Sequence, residues 1–461
     1  MFVETIKTDG LAHLSYLVGD GIAAAVIDPR RDIAVYEKIA HQRGVAITHI
    51  FETHRNEDLV TGSEDLARRT GAIVLHGPTD EYDVPYAKTV REGEQFDLGE
   101  ARLTVLETPG HTLDSISIVL RHTETGDSPI GVFTGDALFV NDVGRTDFYP
   151  DRDEEVAGLL YRSLHEKLLP LGDQTVVYPA HGAGSVCGHG MASRDFSTIG
   201  YEKAHSSRLS LPRAEFIKAK TAEHHDKPPY FKKMEEINAS SGPGMDLDVR
   251  KPAPIGVEDF AGRLENGMIA VDLRMAESFA GGHVPESIAL PADMLTSFAG
   301  WILPYETSIG LIAASPEQAE RGARDLARIG YDRVVGYLDE AIKGWAVSGR
   351  AVDRIAVSDG PEFKQRHDSG ADFVLLDVRA KPEFDQGHLK GATHIYLGEL
   401  PERLDELDPQ TEIVTFCGSG QRALIAASLL KRAGFEKLKV NWGSMGACQA
   451  LGCKLARATA H

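Results

Sequence analysis

The chain has 461 residues, 42% of them hydrophobic and 26% charged, which is typical of a globular protein with about three domains. The 69 Asp and Glu residues outnumber the 49 Lys and Arg residues and give a formal net charge of −20. Phosphate backbones and anionic lipid would repel such a chain, and it has no basic run, so we expect neither nucleic acid nor membrane as a partner.

The N-terminal residues lack a basic segment followed by an apolar core, and no apolar stretch reaches the length of a membrane span. Four cysteines are too few for a disulfide framework in a chain of this length. We therefore expect a protein of the reducing cytoplasm, with at least one thiol kept for chemistry.

Short apolar runs alternate with turns in the first part of the chain. Residues 11–29 predict a hairpin closed by Gly-Asp-Gly, and residues 62–71 predict a helix that ends at Gly71. Further strands are predicted at residues 71–77, 101–110, 115–122, 130–136 and 174–182. Many strands with interspersed helices favour two packed sheets.

Four loops that follow these apolar strands carry side chains able to bind a metal ion. They are Thr53-His54-x-x-x-Asp58, Thr108-Pro109-Gly110-His111-Thr112, Thr134-Gly135-Asp136 and Tyr178-Pro179-Ala180-His181-Gly182. A single histidine at a strand end is more often a hydrogen-bonded structural residue. Four such motifs in order indicate a metal site.

This series of motifs resembles the metallo-β-lactamase superfamily over roughly residues 1–240, which implies an N-terminal αββα sandwich. The superfamily's first motif is His-x-His-x-Asp-His, and here Asn56 and Leu59 replace its second and last histidines. Because leucine cannot bind metal and a neutral amide is a poor zinc ligand, we expect the two-metal site to be absent. Glu57 is an alternative ligand from a shifted register.

The retained trio His54, His111 and Asp136 resembles the iron site of the persulfide dioxygenase branch of this superfamily. Two imidazoles and one carboxylate form the facial triad of non-haem Fe(II) oxygenases, which leaves positions for substrate and O2. The resemblance implies one Fe(II) per chain, with a low-molecular-weight thiol persulfide and O2 as substrates. The stretches TPGHTLDSIS, FTGDALFVNDVGRTDF and PAHGAGSVCG are similar to the same branch.

Four further residues of this part of the chain are candidates for the same site. Arg145 resembles the position that contacts the carboxylate of the thiol substrate, and a structural salt bridge is an equally good interpretation. Asp58 and His181 match positions that hold the second metal, and here we expect them to hydrogen-bond ligands or metal-bound water. Cys187 is either a transient sulfur carrier in the pocket or a buried inert thiol.

Residues 222–256 are rich in Pro, Gly, Lys and Glu and predict a seam between domains. An internal repeat follows, with a period of about 105 residues, which is too long for a solenoid and suits two small α/β domains. A second seam is predicted at residues 347–360. The matching elements are Asp272-x-Arg274 and Gly282-His283 in the first copy, and Asp377-x-Arg379 and Gly387-His388 in the second.

The second copy contains a candidate nucleophile, because Cys417 follows an apolar strand and lies at the mouth of the next helix. The loop that it opens continues through Gly418, Ser419, Gly420, Gln421 and Arg422. Backbone N–H groups converge in such a glycine-rich loop and stabilise negative charge, and Arg422 adds a positive charge. The alternative is a buried structural cysteine.

This loop resembles that of the rhodanese family of sulfurtransferases, in which the cysteine becomes a persulfide and the loop holds the transferred sulfur. The Asp-x-Arg and Gly-His elements also resemble rhodanese motifs. Residues 440–453 lack the usual Gly-Gly followed by Trp, and we expect Cys448 and Cys453 to be packing residues. Alignment of the two copies places Ala313 at the position of Cys417 and Gln318 at that of Arg422, so the first copy is expected to be catalytically silent.

We therefore predict a multidomain protein of mixed α/β and α+β class. Residues 1–240 form the metallo-β-lactamase-type dioxygenase domain, 255–350 the silent rhodanese-like domain and 358–461 the active rhodanese domain, the last two with parallel sheets. Because acidic multidomain enzymes of this kind are commonly homo-oligomers, we expect a homo-oligomer.

The whole chain resembles persulfide dioxygenase–rhodanese fusions, which implies a role in sulfide detoxification. The first half would oxidise the sulfane sulfur of a persulfide to sulfite, and Cys417 would transfer sulfur to sulfite to give thiosulfate. The thiol that carries the sulfane sulfur is glutathione, coenzyme A or another low-molecular-weight thiol. One alternative is a thioester hydrolase like glyoxalase II with an appended sulfurtransferase, and another is a sulfur-carrier protein in which only Cys417 is active.

Overall fold

The computed structural model describes residues 1–188, 190–223, 225–240 and 251–456. The chain divides into two compact units, the first formed by residues 1–250 with 327–330 and the second by residues 251–326 with 331–461. Residues 241–250 of the predicted seam and residues 457–461 of the third predicted domain lie outside the described residues.

Two six-stranded sheets form the frame of the first unit. The first sheet contains, in spatial order, Phe2–Thr8, His13–Asp20, Ala23–Ile27, Ala46–Glu52, Ile73–His76 and Lys88–Thr89. The second contains Ser197–Thr198, Val176–Pro179, Gly131–Gly135, Ile116–His122, Ala101–Glu107 and Gln95–Leu98. The predicted hairpin is confirmed, since Gly19 pairs with Ala24 in antiparallel register.

The core between the sheets comes from alternate residues of their strands. Tyr16 and Val18 pack there against Phe133 and Leu103, whereas Leu17 between them faces the helices on the other side of its sheet. This alternation follows from the two-residue period of a strand. Both faces of the first sheet are therefore buried.

Helices cover the outer faces of both sheets, so the predicted αββα arrangement is confirmed. The helices of this unit are Ala34–Arg43, Ser63–Thr70, Asp153–Arg162, Ile199–His205, Arg213–Thr221 and Tyr230–Asn238. Asp153–Arg162 continues into the π-helical turn Ser163–Leu168 and the 3-10 turn Leu169–Leu171. The helix predicted at residues 62–71 is confirmed and ends at Gly71, which has φ +76°.

The helix Tyr230–Asn238 corrects the interpretation of residues 222–256 as a seam. Its Tyr230, Phe231 and Met234 side chains are buried, and Asn238 donates hydrogen bonds to the loop that follows His54. Two of the prolines that suggested a linker directly precede the helix, and charged residues lie on its exposed face. The first unit therefore keeps its chain at least to Asn238.

The second unit contains two five-stranded sheets in which every strand pair is parallel, as predicted for the two copies. The first copy has strands Pro254–Ile255, Ile269–Asp272, Ile288–Ala289, Ile309–Ile312 and Val334–Leu338, and helices Val257–Glu265, Ala276–Gly281, Leu295–Ile302, Pro316–Arg328 and Ala341–Val347. The second copy has strands Ala356–Ser358, Val374–Asp377, Thr393–His394, Ile413–Phe416 and Leu438–Asn441, and helices Gly360–Asp368, Lys381–Gln386, Gln421–Arg432 and Ser444–Ala450. Short 3-10 turns lie at Ala292–Met294, Leu400–Glu402 and Leu404–Glu406, and His388–Leu389 pairs with Leu455–Ala456.

The two copies contact each other along the helix Gln421–Arg432 of the second copy. Ala289 N–H of the first copy donates to Ser428 Oγ at 3.1 Å, and the rings of Trp301 and Tyr396 meet edge to face at 5.5 Å. Because this helix is buried on several sides, the first copy supports the element that begins behind the Cys417 loop.

Candidate metal centre and sulfur-transfer loop

His54 lies just beyond the strand Ala46–Glu52, and a chain of hydrogen bonds holds its ring. Thr53 Oγ1 donates to Asp28 Oδ2 at 2.8 Å, so it accepts from His54 Nδ1 at 2.9 Å. Burial raises the pKa of Asp28 to about 6, against the effect of His54 and the Thr53 hydrogen bonds. With its proton on Nδ1, His54 keeps a lone pair on Nε2 for a metal ion.

Gly135 allows the Asp136 loop to approach this histidine. Its φ is +53°, and a Cβ at this position would lie 2.6 Å from Thr53 Oγ1. A side chain here would therefore displace Thr53 and, with it, His54.

His111 is fixed in the same manner from the second sheet. Its Nδ1 atom donates to the backbone oxygen of Arg145 at 3.0 Å, and its ring packs edge to face on Phe148 at 5.2 Å. Nε2 is again left for a ligand-binding role, as in metal sites where the second ring nitrogen is hydrogen-bonded to a carbonyl.

The three predicted metal ligands come together in the structure. Asp136 Oδ2 lies 3.7 Å from His54 Nε2 and 3.4 Å from His111 Nε2, and one ligand atom of each residue lies within 4.8 Å of the others. Burial by itself would raise the pKa of Asp136, but the neighbouring histidines, His181 and His54 foremost, lower it. The carboxylate is therefore charged and faces the histidine lone pairs.

The donors of this trio fit a metal ion. Among the described residues, the Nε2 atoms of His54 and His111 are buried and form no hydrogen bond. An unpaired polar atom in a buried position costs free energy, and a cation bound between the ring nitrogens and Asp136 would remove that cost. Two nitrogens and one carboxylate suit Fe(II) with open coordination positions.

Asp58 and His181 lie beside the trio. His181 Nδ1 hydrogen-bonds Asp136 Oδ1 at 2.8 Å, and its Nε2 atom lies 3.0 Å from Asp58 Oδ2. His181 therefore orients the carboxylate that faces the other two histidines. Leu59 and Asn56, which replace the superfamily's histidines, are both buried.

Cys187 and Glu57 lie on the same side of this centre. Glu57 Oε1 is 3.2 Å from His111 Nε2 and 3.8 Å from Cys187 Sγ. Cys187 also lies within 4.8 Å of the ligand atoms of Asp58 and His181. Burial and the carboxylates around it raise the pKa of Cys187, so this thiol stays protonated.

The side chain of Arg145 forms its hydrogen bonds with groups of the protein itself. Its side chain is fully buried and donates to Asp147 through Nε at 2.7 Å and through Nη2 at 2.8 Å. It also donates to the backbone oxygens of Val186 and Asp226 and lies over the rings of Phe148 and Phe231. These contacts favour the salt-bridge interpretation over contact with a substrate carboxylate.

Two supporting residues were missed by sequence reasoning. Asn238 Nδ2 donates to the backbone oxygens of Asn56 and Leu59 at 2.8 Å each, and Asp114 Oδ2 accepts from Arg55 N–H at 2.8 Å. Both residues fix the loop that bears Glu57 and Asp58. Asp114 lies three residues beyond His111, and this proximity to a predicted ligand is a signal for it in the sequence. Asn238 has no such signal.

The Cys417 loop lies between the strand Ile413–Phe416 and the helix Gln421–Arg432. Gly420 N–H points at Cys417 Sγ, with 3.1 Å between nitrogen and sulfur. Gly420 has φ +115°, and a Cβ there would lie 3.3 Å from the Trp442 ring, so this position favours glycine. Cys417 is 1% exposed.

Residues 443–446 hold this loop from the other side. Ser444 Oγ accepts from Cys417 N–H, and Met445 N–H donates to Cys417 O. Gly443 and Gly446 donate in the same way to the oxygens of Ser419 and Gly418. These hydrogen bonds fix the backbone of the Cys417 loop without a substrate. Ser444 is another residue that sequence reasoning missed.

Arg422 lies beside the loop in a bidentate pair with Glu383, at 2.6 and 2.8 Å. Burial by itself would lower the pKa of Arg422, but Glu383 raises it, so the guanidinium is charged. Its Nη2 atom lies 3.4 Å from the position of a Cβ on Gly418. Arg422 thus lines the loop, with part of its charge balanced by Glu383. The predicted loop residue Gln421 is the first residue of the helix.

The equivalent loop of the first copy lacks these features. Ala313 follows the strand Ile309–Ile312 and is buried, and Pro316 stands where the second copy has Gly420. Proline has no N–H to donate to a sulfur at position 313. Gln318 accepts from Ala314 N–H instead of supplying a charge.

Comparison with known proteins matches both halves of the chain. Residues 8–181 match the metallo-beta-lactamase superfamily, and residues 256–348 and 360–450 each match the rhodanese-like domain. Persulfide dioxygenase ETHE1, mitochondrial, of Mus musculus is 30% identical over 210 residues, which cover 44% of this chain and 74% of that protein. A crystal structure of a metallo-beta-lactamase from Staphylococcus aureus subsp. aureus COL is 30% identical with a TM-score of 0.65, covering 73% of this chain and 98% of that one.

A second enzyme class also matches the first unit. Hydroxyacylglutathione hydrolase of Rhodospirillum rubrum is 35% identical over 160 residues, which cover 34% of this chain and 57% of the hydrolase.

In the part of the chain that the structure describes, no helix combines the length and the hydrophobicity that a membrane-spanning segment needs.

Proposed function

The chain belongs to the metallo-β-lactamase superfamily and continues into two rhodanese-like domains, and from this we propose that it is a persulfide dioxygenase joined to a sulfurtransferase. The first unit would oxidise the sulfane sulfur of a low-molecular-weight thiol persulfide to sulfite. The second would carry sulfane sulfur on Cys417 and pass it to sulfite, which gives thiosulfate.

The observation that carries the dioxygenase proposal is the buried trio of His54, His111 and Asp136. A bound Fe(II) would supply open positions at which a persulfide sulfur and O2 both bind. The residues around it hold the histidine tautomers through Thr53 and the Arg145 backbone, and His181 orients Asp136. Burial of all these groups excludes water from the reacting sulfur.

The transfer step follows from the geometry of the second unit. The Cys417 thiolate attacks a sulfane sulfur, the donor's bond to that sulfur breaks, and the donor leaves with the electron pair. Sulfite then attacks the outer sulfur, the S–S bond to Cys417 breaks, and thiosulfate leaves as the thiolate is restored. Gly420 N–H and Arg422 stabilise the negative charge on Cys417 in both steps.

A thioester hydrolase is the second candidate, and the similarity to hydroxyacylglutathione hydrolases favours it. Such hydrolysis uses a metal-activated water, usually between two metal ions. A second ion would have Asp58 and His181 as ligands, but Leu59 offers none. The persulfide chemistry fits the single-metal donor set better and accounts for the attached sulfurtransferase.

Metal analysis of anaerobically purified protein, combined with O2 uptake on glutathione persulfide, tests the proposal. We expect about one iron per chain and persulfide-dependent O2 uptake, both lost in His111→Ala. Both should be kept in His122→Ala, which alters a histidine outside the metal centre. Coenzyme A persulfide in parallel assays identifies the preferred thiol.

Two other results would contradict the proposal. Two zinc ions per chain without O2 uptake would favour the hydrolase. Protein without metal, with sulfur transfer that depends on Cys417, would leave a sulfur carrier.

A further inference from the structure

The second rhodanese-like domain contains a pair of thiols that the proposed reaction does not use. Cys448 lies in the helix Ser444–Ala450 and is fully buried, whereas Cys453 follows that helix and is partly exposed. Cys453 packs against the apolar cluster that contains Cys448, and its proximity contributes, after burial, to the raised pKa of Cys448. All four cysteines of the chain are free, so this pair is a dithiol.

The backbone explains why the two thiols meet. Cys453 N–H donates to Cys448 O at 2.9 Å and Gly452 N–H donates to Gln449 O at 3.2 Å, with Gly452 at φ +67°. This pattern is a Schellman motif, which places the side chains five residues apart against each other at the end of a helix. An apolar pair usually fills these positions, and here two thiols do. The backbone hydrogen bond between the two residues brings their backbones close together, as a disulfide requires.

The same helix holds the Cys417 loop at its other end. Residues Gly443, Ser444, Met445 and Gly446 hydrogen-bond the loop, and Cys448 lies only two residues beyond the last of them in the same short helix. Cys448 also packs in one cluster with Met445 and with Phe416, the residue before Cys417. A change of bonding at the thiol pair therefore acts on the packing directly behind the nucleophile.

We propose that Cys448 and Cys453 are a sulfane-sulfur-sensitive dithiol that closes to a disulfide and slows sulfur transfer at Cys417. The oxidant is a hydropersulfide, which is the substrate in the proposed function, so the inference rests on that proposal. Excess persulfide would then limit further loading of Cys417.

The chemistry needs no other reactant. The Cys453 thiolate attacks the outer sulfur of R–S–SH, the S–S bond of the donor breaks, and R–S⁻ leaves and takes a proton. The Cys448 thiolate then attacks Sγ of the Cys453 persulfide, that S–S bond breaks, and HS⁻ leaves. Two thiols lose two electrons, and the sulfane sulfur gains them and leaves as hydrogen sulfide.

The order of attack follows from exposure. Cys453 is reachable from solvent, whereas burial raises the pKa of Cys448 and keeps it protonated until its neighbour has reacted. The Lys364 ammonium, paired with Asp368, lies near both thiols and partly offsets the effect of burial on the pKa of Cys448. Cys453 is therefore the first acceptor and Cys448 the resolving thiol.

Peptide mass spectrometry of the full chain tests this assignment. The protein is treated anaerobically with glutathione persulfide, its free thiols are alkylated, and it is digested with trypsin. Residues 440–454 then form one peptide that holds both thiols, and residues 404–422 form another that holds Cys417. In the wild type, we expect the first peptide to carry no alkyl group and to be lighter by two hydrogen atoms than the same peptide with two free thiols.

Two variants separate the steps. In Cys448→Ala the peptide should gain the mass of one sulfur atom, and in Cys453→Ala it should show neither change. Because Cys453 is partly exposed, its alanine variant is expected to fold, which thermal unfolding checks. An unchanged 440–454 peptide beside a sulfur-loaded 404–422 peptide would overturn the proposal and leave the proposed function intact. Since persulfide is supplied directly, loss of dioxygenase activity cannot imitate either result.

The effect on Cys417 is measured as sulfur transfer from thiosulfate to cyanide. After persulfide treatment, the wild type should be several-fold slower than Cys453→Ala treated identically, while the untreated proteins have equal rates. Equal rates after treatment, with the disulfide formed, would overturn the coupling between the pair and the loop.

Discussion

At the scale of single residues, the metal centre depends on buried charges that each have a specific partner. Arg145 is the clearest case, because its fully buried guanidinium is satisfied by Asp147, by two backbone oxygens and by two aromatic rings. Its own backbone oxygen fixes His111. A buried charge left without its partner is costly, so this pair stabilises the ligand geometry indirectly.

Replacing Asp147 by asparagine should lower the free energy of unfolding of the first unit by about 3 kcal/mol, because Arg145 stays buried with its charge uncompensated. Urea unfolding followed by circular dichroism measures this change. The three tryptophans, Trp301, Trp345 and Trp442, all lie in the second unit, so their fluorescence transition should not move. The matched control is Asp97→Asn, which breaks an exposed bidentate pair with Arg102 and should leave the unfolding free energy nearly unchanged.

The same pair predicts a dependence on pH. Although burial opposes it, Arg145 lowers the pKa of Asp147 from 3.8 to about 2 in the folded protein. A lowered pKa stabilises the folded state above pH 3.8, by roughly 2 kcal/mol, and this stabilisation is lost as the pH falls toward 2. The difference in unfolding free energy between wild type and Asp147→Asn should therefore shrink between pH 6 and pH 3. A difference that stays constant would contradict the assigned pKa.

At the scale of elements, the helix Tyr230–Asn238 supports the loop that replaces the superfamily's first motif. Asn238 Nδ2 binds two carbonyls of that loop, and its Oδ1 accepts from Thr61 N–H at 3.0 Å. The loop has lost two histidines of the usual motif and keeps Glu57 and Asp58 at the centre. Its shape therefore depends on an element that comes more than 170 residues later in the chain.

Asn238→Ala should weaken metal binding about tenfold and lower the unfolding free energy by about 2 kcal/mol, because three backbone groups, two of them in buried residues, lose their partner. Competition with a chelator measures the metal affinity. Asn266→Ala is the control, since that side chain makes only a local bond to Gly262 O in the second unit. Unchanged metal affinity in Asn238→Ala would contradict the supporting role of the helix.

The first rhodanese-like copy should stay silent even with a thiol restored. In Ala313→Cys, Pro316 cannot donate to the sulfur and Gln318 carries no charge. The variant therefore lacks counterparts of the backbone N–H and the guanidinium that lie beside Cys417. We expect Ala313→Cys in a Cys417→Ala background to transfer no sulfur to cyanide. Transfer at a rate near that of the wild type would show that the loop amides and Arg422 are dispensable.

At the scale of the whole molecule, the chain joins two compact units with separate cores. The metal ligands lie entirely in the first unit and the Cys417 loop entirely in the second. The two half-reactions should therefore fail independently when one site is damaged.

His111→Ala should abolish persulfide-dependent O2 uptake and keep sulfur transfer from thiosulfate to cyanide within twofold of wild type. Cys417→Ala should show the reverse. Thiosulfate formation from persulfide and O2 then requires both sites, which ion chromatography of the products measures. Loss of both activities in either single variant would contradict the independence of the units.

Sequence patterns alone predicted the order of the elements, the two-sheet class of the first unit and the repeat in the second. They also identified His54, His111 and Asp136, which the fold brings together, and Cys417. These features follow short-range rules. Strand periodicity is local, and loops that follow adjacent strands meet at one edge of a sheet, so motif order already indicates which side chains converge.

The contacts of each candidate residue depend on the three-dimensional fold and could not be predicted from the sequence. Arg145 is bound to Asp147 and covered by Phe231, Cys187 faces Glu57, and Arg422 is paired with Glu383. Most of these partners are tens of residues or more away in the chain, and packing rather than any local pattern brings them together. Residues 230–238 make the same point, because a segment with the composition of a linker becomes a helix once its three apolar side chains have a core to enter.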